Sequence, residues 1–117
     1  MINVTTQTNS PIIEMAINGN VDKSDIEAFE ETFKQKMTEQ EPVNLLITVE
    51  NMEGVTLKGL VEDLKMIRYI RSMKKAAVVT DTTWLKADAK LENLFPGVEV
   101  NYFTPDHAET AREWLKD

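Results

Sequence analysis

The chain has 117 residues, which fits one domain large enough to bury most of its apolar surface. With 42% hydrophobic and 28% charged residues it is predicted to be a soluble globular protein, and no apolar run approaches the roughly 20 residues of a membrane span. We expect no integral membrane association. The first residues lack the pattern of a secretory signal, and cysteine is absent, which excludes disulfides and thiolate sites. A cytoplasmic protein is the prediction.

The formal net charge is −7, which argues against nucleic acid as a partner. Acidic residues dominate over residues 22–53, and basic residues dominate over 58–75. This asymmetry fits two solvated helix faces. Alternatively, Lys65, Arg68 and Arg71 form a patch that faces an anionic partner.

Two strands and one helix are predicted in the first part of the chain. Apolar and turn residues predict strands over 2–7 and 12–17 that pair as a hairpin. Over residues 24–40, apolar side chains recur at spacings of three and four, which predicts an amphipathic helix. Either Asp22 or Ser24 caps this helix, and Ser24 with the acid three residues later has the spacing of a capping box.

The central part of the chain predicts a strand, a turn and a helix. Residues 43–49 form a nearly uninterrupted apolar run, typical of a strand buried on both faces. A turn through Gly54 leads to a helix that begins at Thr56 and ends at Met73, with an unusually broad apolar arc. This strand-to-helix crossover places a hydroxyl group and free backbone N–H groups where α/β folds usually carry their sites.

The last third continues the alternation. A buried strand is predicted over 76–80, a helix over 83–94 and an alternating strand over 98–103. Thr104, followed by proline and an acid, predicts the N-cap of a last helix. The predicted fold class is therefore α/β: a single domain with a mixed, mostly parallel five-stranded sheet and four helices, in the order β-β-α-β-α-β-α-β-α.

Few groups suggest chemistry. His107 is the only histidine, so a histidine-based metal site lacks its second ligand. Glu50, Glu53 and Asp81 could converge at neighbouring strand ends, where carboxylates share protons or hold a cation, although Asp81 also fits a turn or a cap. No nucleophile or oxyanion motif accompanies them. We expect no enzyme activity, no catalytic residue, no metal site and no cofactor.

Four segments form a pattern by their order and spacing: NLLITVE, MEGVTLKGLVEDL, AAVVTDTTW and VEVNYFTPDHAETAREWL. Over nearly its full length the chain resembles the SpoIIAA-like family of the STAS superfamily. The resemblance implies a mixed sheet flanked by helices, no catalytic machinery, and regulation through binding of a protein partner. In anti-sigma-factor antagonists a Ser or Thr at the start of the helix after the central strand is phosphorylated, and Thr56 falls there. The turn differs, because Gly54 precedes the hydroxyl residue, and Thr56 also fits a plain N-cap.

SpoIIAA-like proteins are related in fold to CRAL-TRIO lipid carriers, which hold apolar ligands between helices and sheet. This implies an alternative function: a carrier or sensor of a small hydrophobic ligand, held between the helices 56–73 and 83–94 and the sheet. The candidate pocket is lined by Met52, Leu60, Leu64, Ile67, Met73, Trp84 and Leu85. The same stripe also fits an ordinary core. The surplus apolar arc of Met66, Ile70 and Met73 could pair across a twofold axis in a homodimer.

Overall fold

The structure is a computed structural model of the chain, and it describes residues 2–6, 10–18, 22–39, 43–50, 73–80 and 97–116. The described residues contain five strands, two α-helices and one turn of 3-10 helix. The strands are β1 (Ile2–Thr6), β2 (Ile12–Ile17), β3 (Val43–Val49), β4 (Met73–Val79) and β5 (Glu99–Phe103). The α-helices are α1 (Lys23–Glu39) and α2 (Ala108–Lys116), and the 3-10 turn (Pro105–His107) runs directly into α2.

The five strands form one mixed sheet in the spatial order β1-β2-β3-β4-β5. β1 pairs antiparallel with β2, and each later neighbour pairs parallel. The predicted hairpin and the mixed, mostly parallel sheet of a single α/β domain are therefore confirmed. The described part of the chain holds two α-helices instead of the predicted four, in the order β-β-α-β-β-β-α. The helices predicted over 56–73 and 83–94 lie outside the described residues, except for the last residue of the first.

One face of the sheet packs against α1. Phe29 and Phe33 of this helix are fully buried, with ring centroids 5.7 Å apart, and each contributes about 1.5–3 kcal/mol by leaving water. Their spacing of four places both rings on the inner stripe predicted from the sequence. The strand residues buried in the same cluster are Ile2, Ile13, Met15, Ile17, Val43, Leu45, Ile47, Val49, Met73, Ala76 and Val78.

The opposite face packs against α2. Ala111 and Leu115 are the buried residues of this helix, and they contact a second apolar cluster. The strand residues of that cluster are Ile12, Leu46, Ala77 and Val79. β3 and β4 are buried almost throughout, on both faces of the sheet, as predicted for residues 43–49.

α1 begins with a reciprocal cap between Asp22 and Asp25. The backbone N–H of Asp25 donates to Oδ1 of Asp22 at 2.9 Å, and the backbone N–H of Asp22 donates to Oδ2 of Asp25 at 3.1 Å. The Ser24 hydroxyl also donates to Asp22, at 2.7 Å. Asp22 is therefore the cap, and the capping box predicted from Ser24 is wrong, because the acid at the third helical position is Asp25.

β4 begins at Met73, three residues before the predicted start. A register shift lies between Val43 and Leu45, which pair with Met73 and Ala76 respectively, so β4 carries one extra residue there. The extra residue reverses the alternation, and Met73 and Ala76 both face α1. Met73 is 5% exposed. The predictions that it ends a helix and belongs to an exposed dimer arc are therefore wrong.

The start of α2 also differs from the prediction. Thr104 is extended, with φ −82° and ψ 161°, but its side chain makes no capping hydrogen bond to the helix backbone. Its hydroxyl contacts Asp106 and His107 instead, at 2.5 and 2.8 Å. Pro105 opens a 3-10 turn, whose tighter geometry supplies a backbone bond from the His107 N–H to the Thr104 carbonyl.

Candidate functional site

Most residues predicted for a site lie outside the described part of the chain. This holds for Gly54 and Thr56, the possible regulatory or anion site, and for Glu53 and Asp81 of the carboxylate cluster. It also holds for six of the seven candidate pocket residues: Met52, Leu60, Leu64, Ile67, Trp84 and Leu85. The seventh, Met73, is a buried strand residue packed on the α1 side of the sheet.

The two segments that carry these predictions, residues 51–72 and 81–96, both follow the carboxyl ends of parallel strands. β3 ends at Val49 and β4 at Val79, and the two strands are parallel neighbours, with Thr48 opposite Val79. Residues 51–72 and 81–96 therefore both start on the same side of the sheet, at the carboxyl ends of β3 and β4, which we call the carboxyl edge. Polar residues follow each strand end there: Asn18, Glu50, Thr80 and Thr104.

Glu50 lies at the surface of this edge. Its backbone N–H donates to the Ile17 carbonyl at 3.0 Å, and its carboxylate accepts a hydrogen bond from the Asn18 side chain at 3.4 Å. Within the described ranges no group of three or more metal-ligating side chains occurs. Glu50 thus joins the ends of β2 and β3.

Thr80 is the most unusual group at this edge. It is 2% exposed, and its backbone N–H donates to the Phe103 carbonyl at 3.0 Å. Its hydroxyl oxygen is buried and has no hydrogen-bond partner among the residues that the structure describes. Leaving such a group unpaired costs about 1–3 kcal/mol, so an unpaired buried hydroxyl indicates a place where another polar atom can bind. In the sequence, Thr80 is simply the last residue of an apolar strand.

The strand order removes one argument for a site at this edge. In open α/β sheets, ligands bind in the crevice where the strand order reverses. Here β2, β3, β4 and β5 follow one another in chain order, so the described strands contain no such reversal. The position of the crossover after β3 alone therefore carries less weight than the sequence suggested.

A polar cleft lies on the face of the sheet that carries α2, between this helix and the β1–β2 hairpin. It has a volume of about 370 Å³. The cleft lies beside α2 because this helix packs mainly over β3 and β4. Its lining residues are Thr5, Ser10, Ile12, Glu14, Glu109, Arg112 and Lys116. Sequence reasoning missed this site, because its two walls come from opposite ends of the chain and no local motif links them.

Arg112 organises the cleft. Its Nε and Nη2 donate to the two carboxylate oxygens of Glu14, each at 3.0 Å, and its Nη1 donates to Glu109 at 2.5 Å. The hydrogen bonds that Arg112 donates to Glu14, followed by the charge of Glu14 and the contacts of Glu109, raise the pKa of Arg112. The guanidinium group is held rigidly in a bidentate pair, which fixes α2 against the hairpin.

His107 lies apart from the cleft lining and is exposed. Its Nδ1 is 2.8 Å from the Thr104 hydroxyl and 3.5 Å from the Asp106 carboxylate. The Thr104 hydroxyl is the main cause that lowers the pKa of Asp106. These contacts span only four consecutive residues, and they order the entry to α2.

A mixed five-stranded sheet with a helix on each face and polar residues at the carboxyl ends of its parallel strands defines a small α/β domain. The SpoIIAA-like family model matches residues 12–116, and the chain belongs to this family. The resemblance predicted from the sequence is thus confirmed.

A solved structure supports the same fold. An uncharacterized protein of the DUF3478 family from Shewanella loihica PV-4, which has a SpoIIAA-like fold, superposes with a TM-score of 0.72. The two chains are 17% identical, and the match covers 98% of this chain and 92% of the other. No curated protein matches the sequence significantly. Among the described helices, none has the length and apolar character that crossing a membrane requires.

Proposed function

We propose that this chain is a non-enzymatic, cytoplasmic domain of the STAS type that regulates a protein partner by binding it. The segment predicted as a helix over 56–73 supplies the binding surface in this proposal. Membership of the SpoIIAA-like family supports a regulatory or binding role.

The proposal depends on the place of segment 51–72 in the fold, between the carboxyl end of β3 and the start of β4. β3 and β4 lie inside the sheet and are buried on both faces. The segment 51–72 connects the carboxyl end of β3 to the amino end of β4, and parallel neighbours are joined by right-handed crossovers. The segment that carries the proposed surface is therefore joined at both ends to buried strands.

Thr56 is the proposed regulatory position within this surface. A phosphate group adds close to two negative charges and new acceptor oxygens, and at a helix start it is favoured by the free backbone N–H groups. In a chain with a net charge of −7 it would further strengthen repulsion of an acidic partner. Phosphorylation at Thr56 is thus proposed to weaken partner binding, as a charge change in the binding surface.

Charge reversal tests the binding surface. A photoreactive amino acid at position 65 should cross-link a partner in host-cell extract, and the purified partner should then bind the purified chain. Arg68→Glu should weaken that binding at least about tenfold, since it places a repulsive charge in the interface. Lys34→Glu, on the exposed side of α1, is the matched control. Equal loss of affinity in both variants would point to general repulsion and contradict the proposal.

The phosphorylation step has its own test. Incubation in host extract with labelled ATP should label the wild type, and Thr56→Ala should remove the label while the fold, followed by circular dichroism, is unchanged. Label that persists in the Thr56→Ala variant would exclude this regulatory position.

A small hydrophobic ligand is the second candidate, favoured by the buried Thr80 hydroxyl without a partner among the described residues. Such a ligand would lie on the apolar lining predicted between 56–73, 83–94 and the sheet, with one polar atom at Thr80. Native mass spectrometry of the purified chain should then show a retained small molecule. Thr80→Val keeps the shape and removes the hydroxyl, so it should release that molecule while the unliganded protein becomes more stable. A wild type that retains nothing would leave the protein-binding function standing alone.

A further inference from the structure

β1 is an outer strand of the sheet, with β2 as its neighbour on one side. On its other side no described strand follows. An outer strand presents backbone N–H and C=O groups that can pair with another strand, and native proteins usually guard such an edge. The way this edge is guarded therefore shows whether it is built for pairing.

The outward-facing groups of β1 follow from the hydrogen bonds of β2. The backbone carbonyls of Pro11 and Ile17 accept hydrogen bonds from the backbone N–H groups of Asn44, in β3, and of Glu50, directly after it. The backbone N–H and C=O groups of the odd-numbered residues of β2 therefore point toward β3, and those of the even-numbered residues point toward β1. Glu14 consequently faces β1, where its direct partner is Thr5.

In an antiparallel pair of strands, the backbone N–H and C=O groups of two opposite residues either point toward each other and form hydrogen bonds, or both point away from the partner strand. Because Glu14 faces β1, Thr5 faces β2, and so does Asn3 opposite Ala16. The backbone groups of Ile2, Val4 and Thr6 therefore point outward. Every second residue of β1 thus has outward backbone groups, and Val4 is the middle one of the three.

Within the described residues, the β1 edge carries none of the protection that charge, proline or a bulge gives to an outer strand. Residues 1–11 contain no charged side chain, and the only proline among them lies beyond the strand. The pairing of β1 with β2 is continuous from residue 2 to residue 6, without a bulge that would twist the edge away. The chain as a whole has a net charge of −7, but β1 carries no charge. A second copy that pairs with β1 through its own β1 therefore meets no charged side chain on that strand.

The opposite edge of the sheet is guarded. The carbonyl of Phe103 in β5 accepts a bond from the Thr80 N–H of β4, so the neighbouring Tyr102 N–H points outward. The Asn101 side chain accepts a hydrogen bond from that N–H at 2.9 Å. The charged, exposed Glu99 begins the strand. β5 thus shows side-chain protection of an outward N–H, whereas β1 shows neither charge nor bulge.

We propose that β1 pairs antiparallel with β1 of a second copy of this chain, around a twofold axis at Val4. This pairing matches Val4 with Val4, and Ile2 with the second copy's Thr6, so every outward N–H and C=O of the strand finds a partner. An isologous interface of this kind closes after two copies and extends each five-stranded sheet into the other. It involves residues other than those of the proposed function, which therefore stands or falls separately.

The side chains of β1 suit this pairing on both faces of the sheet. Ile2 is buried and Val4 partly buried against the α1 cluster, and Thr6 follows on the same face by alternation. Val4 would gain burial beside its copy. On the other face, Asn3 and Thr5 are exposed and would lie opposite each other across the interface, where amide and hydroxyl groups can form hydrogen bonds. No residue of β1 itself carries a charged side chain.

Thr6→Pro tests the edge. Thr6 is exposed and its N–H points away from β2, so proline removes an outward donor without breaking the hairpin ladder. Sedimentation equilibrium of the full chain should show the wild type moving from 13.3 kDa toward twice that mass as concentration rises. Thr6→Pro should weaken this association by roughly 10- to 100-fold, because two donors are lost per dimer. Thr6→Val keeps the N–H and is the matched control; it should still associate.

Hydrogen exchange provides a second readout that is independent of mass. The Val4 amide should be protected at concentrations where the wild type associates and should exchange rapidly in the Thr6→Pro variant, while the Thr5 amide stays protected in both. A wild type that remains at the monomer mass up to millimolar concentration would overturn the proposal. So would association that Thr6→Pro leaves unchanged, since it would use another surface. Pairing of β1 with a different protein would appear as Val4 protection only after that protein is added, and would equally overturn it.

Discussion

The backbone N–H of Lys75 donates a hydrogen bond to the side-chain oxygen of Asn44, at 3.1 Å, where the pairing of β3 and β4 is irregular. The side-chain nitrogen of Asn44 donates at 2.6 Å to the Leu115 carbonyl in the last turn of α2. One buried amide therefore partners both the N–H released by the extra residue of β4 and a helix carbonyl that has no partner within its helix. This contact joins the irregularity of the sheet to the position of the last helix.

Asn44→Ala should destabilise the domain strongly. It removes two buried hydrogen bonds and leaves the Lys75 N–H and the Leu115 carbonyl unpaired, so we expect a loss of about 2–4 kcal/mol in the free energy of unfolding. Urea denaturation measures this loss. Asn18→Ala is the control, because its side chain is exposed and its 3.4 Å bond to Glu50 lies at the surface. Equal losses in the two variants would contradict the bridging role of Asn44.

Lys75 makes a second contact with the same helix end. Its Nζ donates to the Trp114 carbonyl at 2.9 Å and lies 4.9 Å from the centre of the Trp114 ring. Lys75→Met keeps the length of the buried stem but removes the cap and the cation–π contact, so it should cost about 1–2 kcal/mol. Lys74→Met changes an exposed neighbour and should change stability by less than about 0.5 kcal/mol. Thermal unfolding of both variants gives the comparison.

The positions of four strands along the chain and the fold class were predictable because they depend on local patterns. The apolar run of 43–49 and the alternation of 98–103 are visible in the sequence, and the structure places strands there. The start of β4 was not predictable. Lys74 and Lys75 read as charged helix-end residues, and only the contacts of Lys75 with Trp114, far along the chain, explain why a lysine is buried in a strand.

The candidate sites show the same division. Thr80 is at the end of a predicted strand, but its unpaired hydroxyl depends on which side chains the neighbouring strands bring near it. The cleft at Arg112 depends on a contact across 98 residues with Glu14, and charge pairing at such separation has no periodic signal. Local propensity and periodicity therefore predict elements, whereas sites formed between elements require the tertiary structure.

The Glu14–Arg112 pair should couple more strongly than the Arg112–Glu109 pair. Glu14 is 29% exposed and binds the guanidinium through both oxygens, whereas Glu109 is 82% exposed and binds through one. A double-mutant cycle with Glu14→Gln and Arg112→Gln should give a coupling of about 1 kcal/mol, and the cycle with Glu109→Gln less than about 0.5 kcal/mol. Urea denaturation at low ionic strength provides the values, and reversed magnitudes would contradict the bidentate geometry.

Asp22 should make the stability of α1 depend on acidic pH. The backbone N–H of Asp25 is the main cause that lowers the pKa of Asp22 below 3.8, with a further contribution from the Ser24 hydroxyl. Because the folded-state pKa is depressed, the stabilisation is present above the unfolded value near 3.8 and is lost as pH falls through the lower folded value. Unfolding measured between pH 5 and pH 2.5 should show this loss in the wild type. Asp22→Asn keeps a capping oxygen and should flatten that part of the curve.

Gly97 should tolerate asparagine better than alanine. Its φ of +83° lies in the left-handed region, and a Cβ built there meets no atom within 4 Å. The cost of Gly97→Ala is therefore conformational, about 1 kcal/mol in the free energy of unfolding, and involves no steric clash. Gly97→Asn should cost less, because asparagine adopts this backbone conformation more readily. Chemical denaturation distinguishes the two variants, and a larger loss for asparagine would mean that side-chain volume governs this turn before β5.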